Sequence, residues 1–224
     1  MTMVRTLGAG LVFAALASAG DLNGHVVIKR QLTKRTLTPA VYSLRGTALP
    51  PAAAPDESIN EFDRTVVFVE GGTAPPPPPQ TATIEQRNSR FEPDLIIVPV
   101  GSTVQFPNAD PIFHNVFSLS KAHPFDLGFY PKSQSRPVTF DHAGVVQVYC
   151  HLHADMYGAI VVTGSPWYGK PSSDGGFSFH NLPAGHYRVV AWHKVAGAHW
   201  VSVDVPENGT AKVTIGVPVD VEKP

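Results

Sequence analysis

The chain consists largely of short runs of β-branched and aromatic residues separated by Gly, Pro, Asn and Asp, and this pattern constrains its fold most strongly. The densest series has runs at residues 95–100, 101–106, 116–119, 137–140, 145–149 and 158–162. Short strands at such spacing are typical of antiparallel β-sandwiches. No segment after residue 20 shows the apolar period of an amphipathic helix. The sequence therefore predicts an all-β protein.

The N-terminal residues differ from the rest of the chain. Arg5 precedes an apolar stretch at residues 7–16, and Ala17-Ser18-Ala19 has the form of a signal-peptidase site. The apolar stretch is short for a bilayer span, so we expect a cleaved signal peptide rather than an uncleaved anchor. We expect no membrane span in the mature chain and a periplasmic or secreted location.

Segments rich in proline or containing Asn-Gly mark boundaries and turns in the remaining chain. Residues 75–79 are five consecutive prolines, which favour a stiff polyproline II spacer and mark the clearest boundary. Asn208-Gly209 lies between two alternating apolar runs and predicts a β-hairpin. The predicted regions are a signal peptide (1–19), an N-terminal β region (20–72), a proline-rich linker (73–80), a central domain (81–164) and a C-terminal β region (165–224).

The charge balance excludes some classes of partner. The formal net charge is −1, and no basic stripe is present that would neutralise phosphates. We therefore expect no nucleic-acid partner. We expect a monomer.

The single cysteine, Cys150, has no disulfide partner within the chain and needs another explanation. It ends a predicted strand, and His153 and Met156 follow at three-residue intervals, with His114 upstream. Strand alternation would separate Cys150 from His153, so convergence requires the chain to turn after Cys150. A thiolate, two imidazoles and a weak thioether are the ligands of a blue-copper centre. The pattern predicts one type 1 copper ion per chain.

Alternatives remain for each of these residues. Cys150 alone would be read as a small buried apolar residue, and Met156 alone as core. His151 is either an inert surface residue or a ligand in place of His153. His193 and His199 form a second, weak candidate for metal binding.

Residues 81–163 resemble the cupredoxin family, close to plastocyanin and amicyanin. The resemblance rests on Phe106-Pro107-Asn108, on His114-Asn115-Val116-Phe117 and on the spacing Cys150-x-x-His153-x-x-Met156. It implies a Greek-key sandwich with His114, Cys150 and His153 as ligands and Met156 as the axial ligand. It further implies that Asn115 joins the two ligand loops by hydrogen bonds.

The segment from Asp174 to Trp192 resembles the carboxypeptidase-regulatory-like, or transthyretin-like, sandwich. Together with the pair Trp192-His193, it makes the chain similar to periplasmic proteins described as methylamine-utilisation or plastocyanin-like. One arrangement consistent with this resemblance pairs the N-terminal strands with the C-terminal strands, so that the central domain is inserted between them.

Three functions are compatible with these features. The first is one-electron transfer between exported redox partners, the partner being unidentified. The second is periplasmic copper handling. The third is a surface adhesion or carbohydrate-associated module with a structural copper site. We do not expect an enzyme, because Cys150 and His114 lack a visible third orienting residue.

Overall fold

The structure, a computed structural model, describes residues 19–29 and 60–218. The predicted signal peptide lies outside the described residues except for Ala19, the first residue of a strand.

In chain order the strands are β1 (Ala19–Ile28), β2 (Thr65–Glu70), β3 (Thr81–Thr83), β4 (Glu85–Arg87), β5 (Arg90–Glu92), β6 (Leu95–Pro99), β7 (Ser102–Pro107), β8 (His114–Ser118), β9 (Phe125–Tyr130), β10 (Ser135–Phe140), β11 (Gly144–Tyr149), β12 (Tyr157–Thr163), β13 (Tyr168–Gly169), β14 (Gly176–Pro183), β15 (Gly185–His193), β16 (Gly197–Val205) and β17 (Thr210–Val217). A short 3-10 turn, Glu61–Arg64, precedes β2. The predicted all-β fold class is confirmed.

Strands from the two ends of the chain form one sandwich, here called the flanking sandwich (β1, β2 and β13–β17). One sheet has the order β14-β1-β17 and the other β13-β2-β15-β16. β1 runs antiparallel to β14 and parallel to β17. β2 pairs with β15 and β13. The N-terminal and C-terminal strands therefore pair as the insertion arrangement requires.

Strands β3–β12 form the inserted sandwich. Its larger sheet has the order β6-β12-β11-β8-β9, and its smaller sheet has the order β10-β7-β3. β4 and β5 form a separate hairpin. The two sheets bury a core of alternating strand residues that includes Val104, Phe106, Val116, Val148 and Ile160. Such burial of one face of each strand is the main stabilising contribution in a sandwich.

A third apolar cluster joins the two sandwiches. Val66 and Trp192 of the flanking sandwich pack with Leu95, Ala159 and Val161 of the inserted sandwich. All five side chains are at least nine-tenths buried. The outer face of β6 and β12 is therefore covered, which explains why these strands read as nearly continuous apolar runs.

The hairpin predicted at Asn208-Gly209 is wrong. β16 hydrogen bonds to β15, whereas β17 hydrogen bonds to β1 in the opposite sheet. Asn208 has a φ of 53°, so the turn itself is present. Val205 and Ile215 both bury their side chains in the core between the sheets, and this shared burial favours a connection from one sheet to the other.

Candidate metal centre

The loop between β11 and β12 carries Cys150, His153 and Met156. Its ends are held together by the antiparallel pair Tyr149 and Tyr157. Within the loop, the backbone N–H of Met156 donates to the carbonyl of His153 at 3.0 Å. The chain therefore leaves the strand at Cys150 and turns, as the sequence predicts.

His114 reaches the same end of the sandwich from β8. It is the first residue of that strand, and Phe117, three residues later, pairs with Tyr149 of β11. Because the two strands are antiparallel, the start of β8 extends past the end of β11. This register places His114 beside the loop that contains Cys150.

Three of the four predicted ligands converge. The Sγ of Cys150 lies 3.8 Å from the Nδ1 of His114 and 3.8 Å from the Nδ1 of His153. All three atoms lie within 4.8 Å of one another. Ligand bonds of about 2.0–2.3 Å allow a nitrogen and a sulfur on one ion to be at most about 4.3 Å apart. The spacing fits a single metal ion bound by two imidazoles and a thiolate.

Met156 lies in the same core as Cys150. Its side chain is fully buried, and that of Cys150 is 5% exposed. A thioether in this position has little access to water. The axial role that the sequence assigns to Met156 stays a prediction.

His114 is oriented by a carboxylate. Its Nε2 lies 2.8 Å from the Oδ2 of Asp110, and the imidazole is fully buried. Nε2 donates to this carboxylate when it carries the ring proton, which leaves Nδ1, the nitrogen nearer to Cys150, with a free lone pair. Asp110 thereby selects the tautomer that can bind a metal.

Asp110 is itself held by the turn between β4 and β5. Its two carboxylate oxygens accept the backbone N–H groups of Asn88 at 2.7 Å and Ser89 at 2.8 Å. Both turn residues have positive φ, 52° and 54°, as a two-residue type I′ hairpin requires. Burial acts to raise the pKa of Asp110, but the hydrogen bonds from Ser89, His114 and Asn88 together lower it. The carboxylate is therefore favoured in its charged form.

The sequence contained only a partial signal for this interaction. Asp110 lies four residues before His114 in the loop, but a loop carries no fixed periodicity from which contact could be inferred. Asn88-Ser89 was not recognised as a turn. Asn88 and Ser89 lie 22 and 21 positions before Asp110 in the chain. Local sequence patterns do not predict contacts at that separation.

Asn115 joins the two ligand-bearing segments. Its Oδ1 accepts the backbone N–H of His151 at 3.4 Å, and its Nδ2 donates to the Oδ1 of Asp126 at 2.7 Å. The first of these bonds is the one that the cupredoxin resemblance implies. Asn115 therefore links the start of β8 to the loop after β11.

His151 points away from the cluster. Its ring stacks on Phe117 with centroids 3.9 Å apart and an angle of 5° between planes. Its side chain is 49% exposed, and Nε2 lies 3.7 Å from the Oδ2 of Asp126. The structure thus brings His153 rather than His151 to Cys150.

The weak second candidate, His193 with His199, does not form a metal cluster within the described residues. The Nδ1 of His193 accepts N–H groups from Val195 and Ala196, and its Nε2 lies 3.1 Å from the Oε2 of Glu61. Both ring nitrogens are therefore occupied by protein groups. The cluster at Cys150 is the one group of three metal-binding side chains in residues 19–29 and 60–218.

The segments that carry the cluster also carry exposed apolar side chains, and one member of the cluster borders a cleft. Ile112, Phe113 and Leu152 are 44–55% exposed and lie next to ligands or ligand-holding residues in the sequence. His153 borders a cleft of about 840 Å³ that is also lined by Arg64, in the turn before β2, and by Lys194, which follows β15. Of the four predicted ligands, His153 is thus the most exposed to solvent.

Comparison with known proteins gives matches at the level of solved structures. No family model matches the sequence, and no curated protein matches it. A variant of amicyanin in its reduced Cu(I) form at pH 4 is 26% identical over 37% of this chain and 82% of that chain, with a TM-score of 0.35. A Cu-containing nitrite reductase from Thermus scotoductus SA-01 is 26% identical over 42% of this chain and 24% of that chain, with a TM-score of 0.36. The chain therefore spans about a quarter of that enzyme.

The described residues also bear on membrane insertion. In residues 19–29 and 60–218, no helix has the length and apolar character needed to cross a bilayer.

Proposed function

We propose that the chain is a mononuclear type 1 copper protein that carries single electrons. The ligands are His114, Cys150 and His153, with Met156 as the axial ligand. The observation that carries the proposal is the convergence of two imidazole Nδ1 atoms on one thiol, each at 3.8 Å. One copper ion binds per chain.

The donor set suits a one-electron couple. Sulfur ligands favour Cu(I) and imidazole nitrogens favour Cu(II), so a mixed site serves both states without a change of ligands. His114, Cys150 and His153 would hold the copper ion, which would supply a one-electron couple. No bond in the protein is made or broken.

The protein's own residues keep the site rigid. Asp110 and Asn115 fix the His114 ring and the loop backbone through the hydrogen bonds described above. Cys150, His114 and Met156 are at least 95% buried, which excludes water from three of the four proposed ligands. A site that rearranges little when its charge changes exchanges electrons quickly.

The proposed setting is an exported electron carrier. The predicted leader supports a periplasmic or secreted location, and Ile112, Phe113 and Leu152, which are exposed and close in sequence to His114 or His153, are the apolar groups available for contact with a partner. The partner would be a redox protein that approaches His153. Asp110 supplies the third orienting residue that the sequence did not show. We nevertheless propose a carrier rather than an enzyme, because a second imidazole, that of His153, lies equally close to the Cys150 sulfur.

A visible spectrum of the protein loaded with Cu(II) tests this function. We expect an intense absorption band from charge transfer between the Cys150 thiolate and copper, which is absent in Cys150→Ser. Leu152→Ser, which changes an exposed neighbour, should keep the band. Tightly bound copper without colour in the unmodified protein would reject the type 1 assignment.

Copper handling is the second candidate, and the cleft beside His153 supports it because an open edge lets metal enter and leave. Self-exchange measurements and copper transfer to a chelator separate the two. Fast electron self-exchange with slow copper loss favours the carrier. Slow exchange with ready copper loss favours handling.

A further inference from the structure

The flanking sandwich contacts the copper loop at its base. Tyr149 and Tyr157 are paired residues that close the loop of residues 150–156, and their rings stack with centroids 5.3 Å apart. Tyr157 directly follows Met156. Any group that holds Tyr157 therefore acts on the end of the segment that carries three of the four proposed ligands.

Lys194 of the flanking sandwich holds Tyr157 in three ways. Its Nζ donates to the carbonyl of Tyr157 at 2.9 Å and lies 4.6 Å from the centre of the tyrosine ring. In return, the hydroxyl of Tyr157 donates to the carbonyl of Lys194 at 3.2 Å. Main chain and side chain of Tyr157 are thus both fixed by one residue.

The same ammonium group reaches a neighbouring strand. Its Nζ donates to the Oδ2 of Asp94 at 2.5 Å, and the carbonyl of Asp94 accepts the N–H of Ala159 on β12. Asp94 immediately precedes β6, which runs parallel to β12. Lys194 therefore links the start of β6 with the start of β12.

Lys194 is firmly placed within its own sandwich. Its side chain is 7% exposed. It follows the last residue of β15, and its backbone N–H donates to the carbonyl of Arg64 at 2.9 Å. A buried ammonium group stays bound to its hydrogen-bond acceptors, because losing them where no water can take their place costs a large amount of free energy.

We propose that Lys194 is a positioning residue of the copper centre, through which the flanking sandwich holds the base of the ligand loop. This inference rests on the proposed function. The apolar cluster around Val66, Leu95 and Trp192 already joins the two sandwiches without touching the loop. Lys194 adds the polar contact that reaches the ligand segment.

Lys194→Ala in the full chain tests the proposal. Met156 is the single methionine after residue 3, so its methyl resonance in a ¹H–¹³C spectrum reports the loop even without metal. We expect this resonance to shift in the metal-free variant. With copper, we expect Cu(II) affinity to fall about 10-fold, as for other groups that support metal ligands, and the reduction potential to change.

Two further variants sharpen the test. Lys170→Ala is the matched control, because the Nζ of Lys170 also donates to a carbonyl, that of Asp63, but within the flanking sandwich. It should leave the Met156 resonance, affinity and potential unchanged. Lys194→Arg retains the charge and N–H donors and should restore much of the affinity.

If Lys194→Ala does not fold, Lys194→Gln replaces it, and we expect the same shift of the Met156 resonance, the same loss of Cu(II) affinity and a changed reduction potential. A folded Lys194 variant with lowered thermal stability but an unchanged Met156 resonance and Cu(II) affinity would overturn the proposal. Lys194 would then only join the sandwiches. Failure of the proposed function can be told apart from failure of the Lys194 proposal. If the unmodified protein binds copper without colour, the type 1 assignment is rejected. The Met156 resonance of the metal-free protein tests the role of Lys194 independently of copper.

Discussion

The Nε2 of His114 lies 2.8 Å from the Oδ2 of Asp110, so one imidazole joins a charged carboxylate on one side to the Cys150 sulfur on the other. The carboxylate increases the basicity of the ring and fixes its orientation. It also contributes negative charge near the proposed metal position. Both effects favour Cu(II) over Cu(I).

Asp110→Asn therefore should weaken Cu(II) binding by about 10- to 100-fold and raise the reduction potential. Competition with a chelator and voltammetry measure the two quantities. Asp141→Asn changes an exposed carboxylate on the same sandwich and serves as control. An unchanged potential in Asp110→Asn would show that the carboxylate does not act on the metal.

The identity of the second imidazole ligand is tested by a pair of alanine variants. His153→Ala should lose the charge-transfer band, because its Nδ1 is 3.8 Å from Cys150 Sγ. His151→Ala should keep the band, because that ring stacks on Phe117 outside the cluster. Absorption and electron paramagnetic resonance spectra of the copper-loaded variants decide. The reverse pattern would make His151 the ligand.

Met156→Leu tests the axial role. The exchange nearly conserves volume, so we expect it to cost less than about 1.5 kcal/mol in the free energy of unfolding. Leucine leaves three donors in an apolar environment, and Cu(I) tolerates this lower coordination number better than Cu(II), which outweighs the softness of the lost sulfur; the reduction potential should therefore rise while the thiolate band persists. Voltammetry and thermal unfolding of the metal-free protein are the measurements. An equal potential in both proteins would place Met156 in the core without a bond to copper.

His193 predicts a pH dependence of stability away from the copper site. Burial lowers its pKa, more than the neighbouring Glu61 raises it, and Arg64 and His199 act in the same direction as burial. The unfolded chain, with a histidine pKa of about 6.5, then binds more protons than the folded one. The contribution to stability is complete above that pH and is lost as pH falls toward the folded-state pKa.

We therefore expect the free energy of unfolding of the metal-free protein to fall as the pH drops below about 6.5, by at most about 1.4 kcal/mol per pH unit from this residue. His193→Gln should reduce that slope, since glutamine does not titrate. His142→Gln removes an exposed histidine and should leave the slope as it is. Equal slopes in all three proteins would assign the pH dependence to other groups.

The sequence by itself determined the strand pattern and the ligand spacing. Runs such as residues 95–100 and 145–149 became β6 and most of β11, because β-branched residues between turn residues favour strands whatever surrounds them. The spacing from Cys150 to Met156 is short enough for a single loop to bring its side chains together. Both are local properties.

Only the tertiary structure decided which distant groups complete the site. β9 was not predicted, and it supplies the Asp126 carboxylate that accepts from Asn115. Asp110 accepts the backbone N–H of Ser89, which lies 21 residues earlier in the chain. Lys194 donates to Asp94, which lies 100 residues earlier. β16 and β17 separated into different sheets because burial in a shared core outweighed the local turn. Such contacts depend on how sheets pack, which no local pattern encodes.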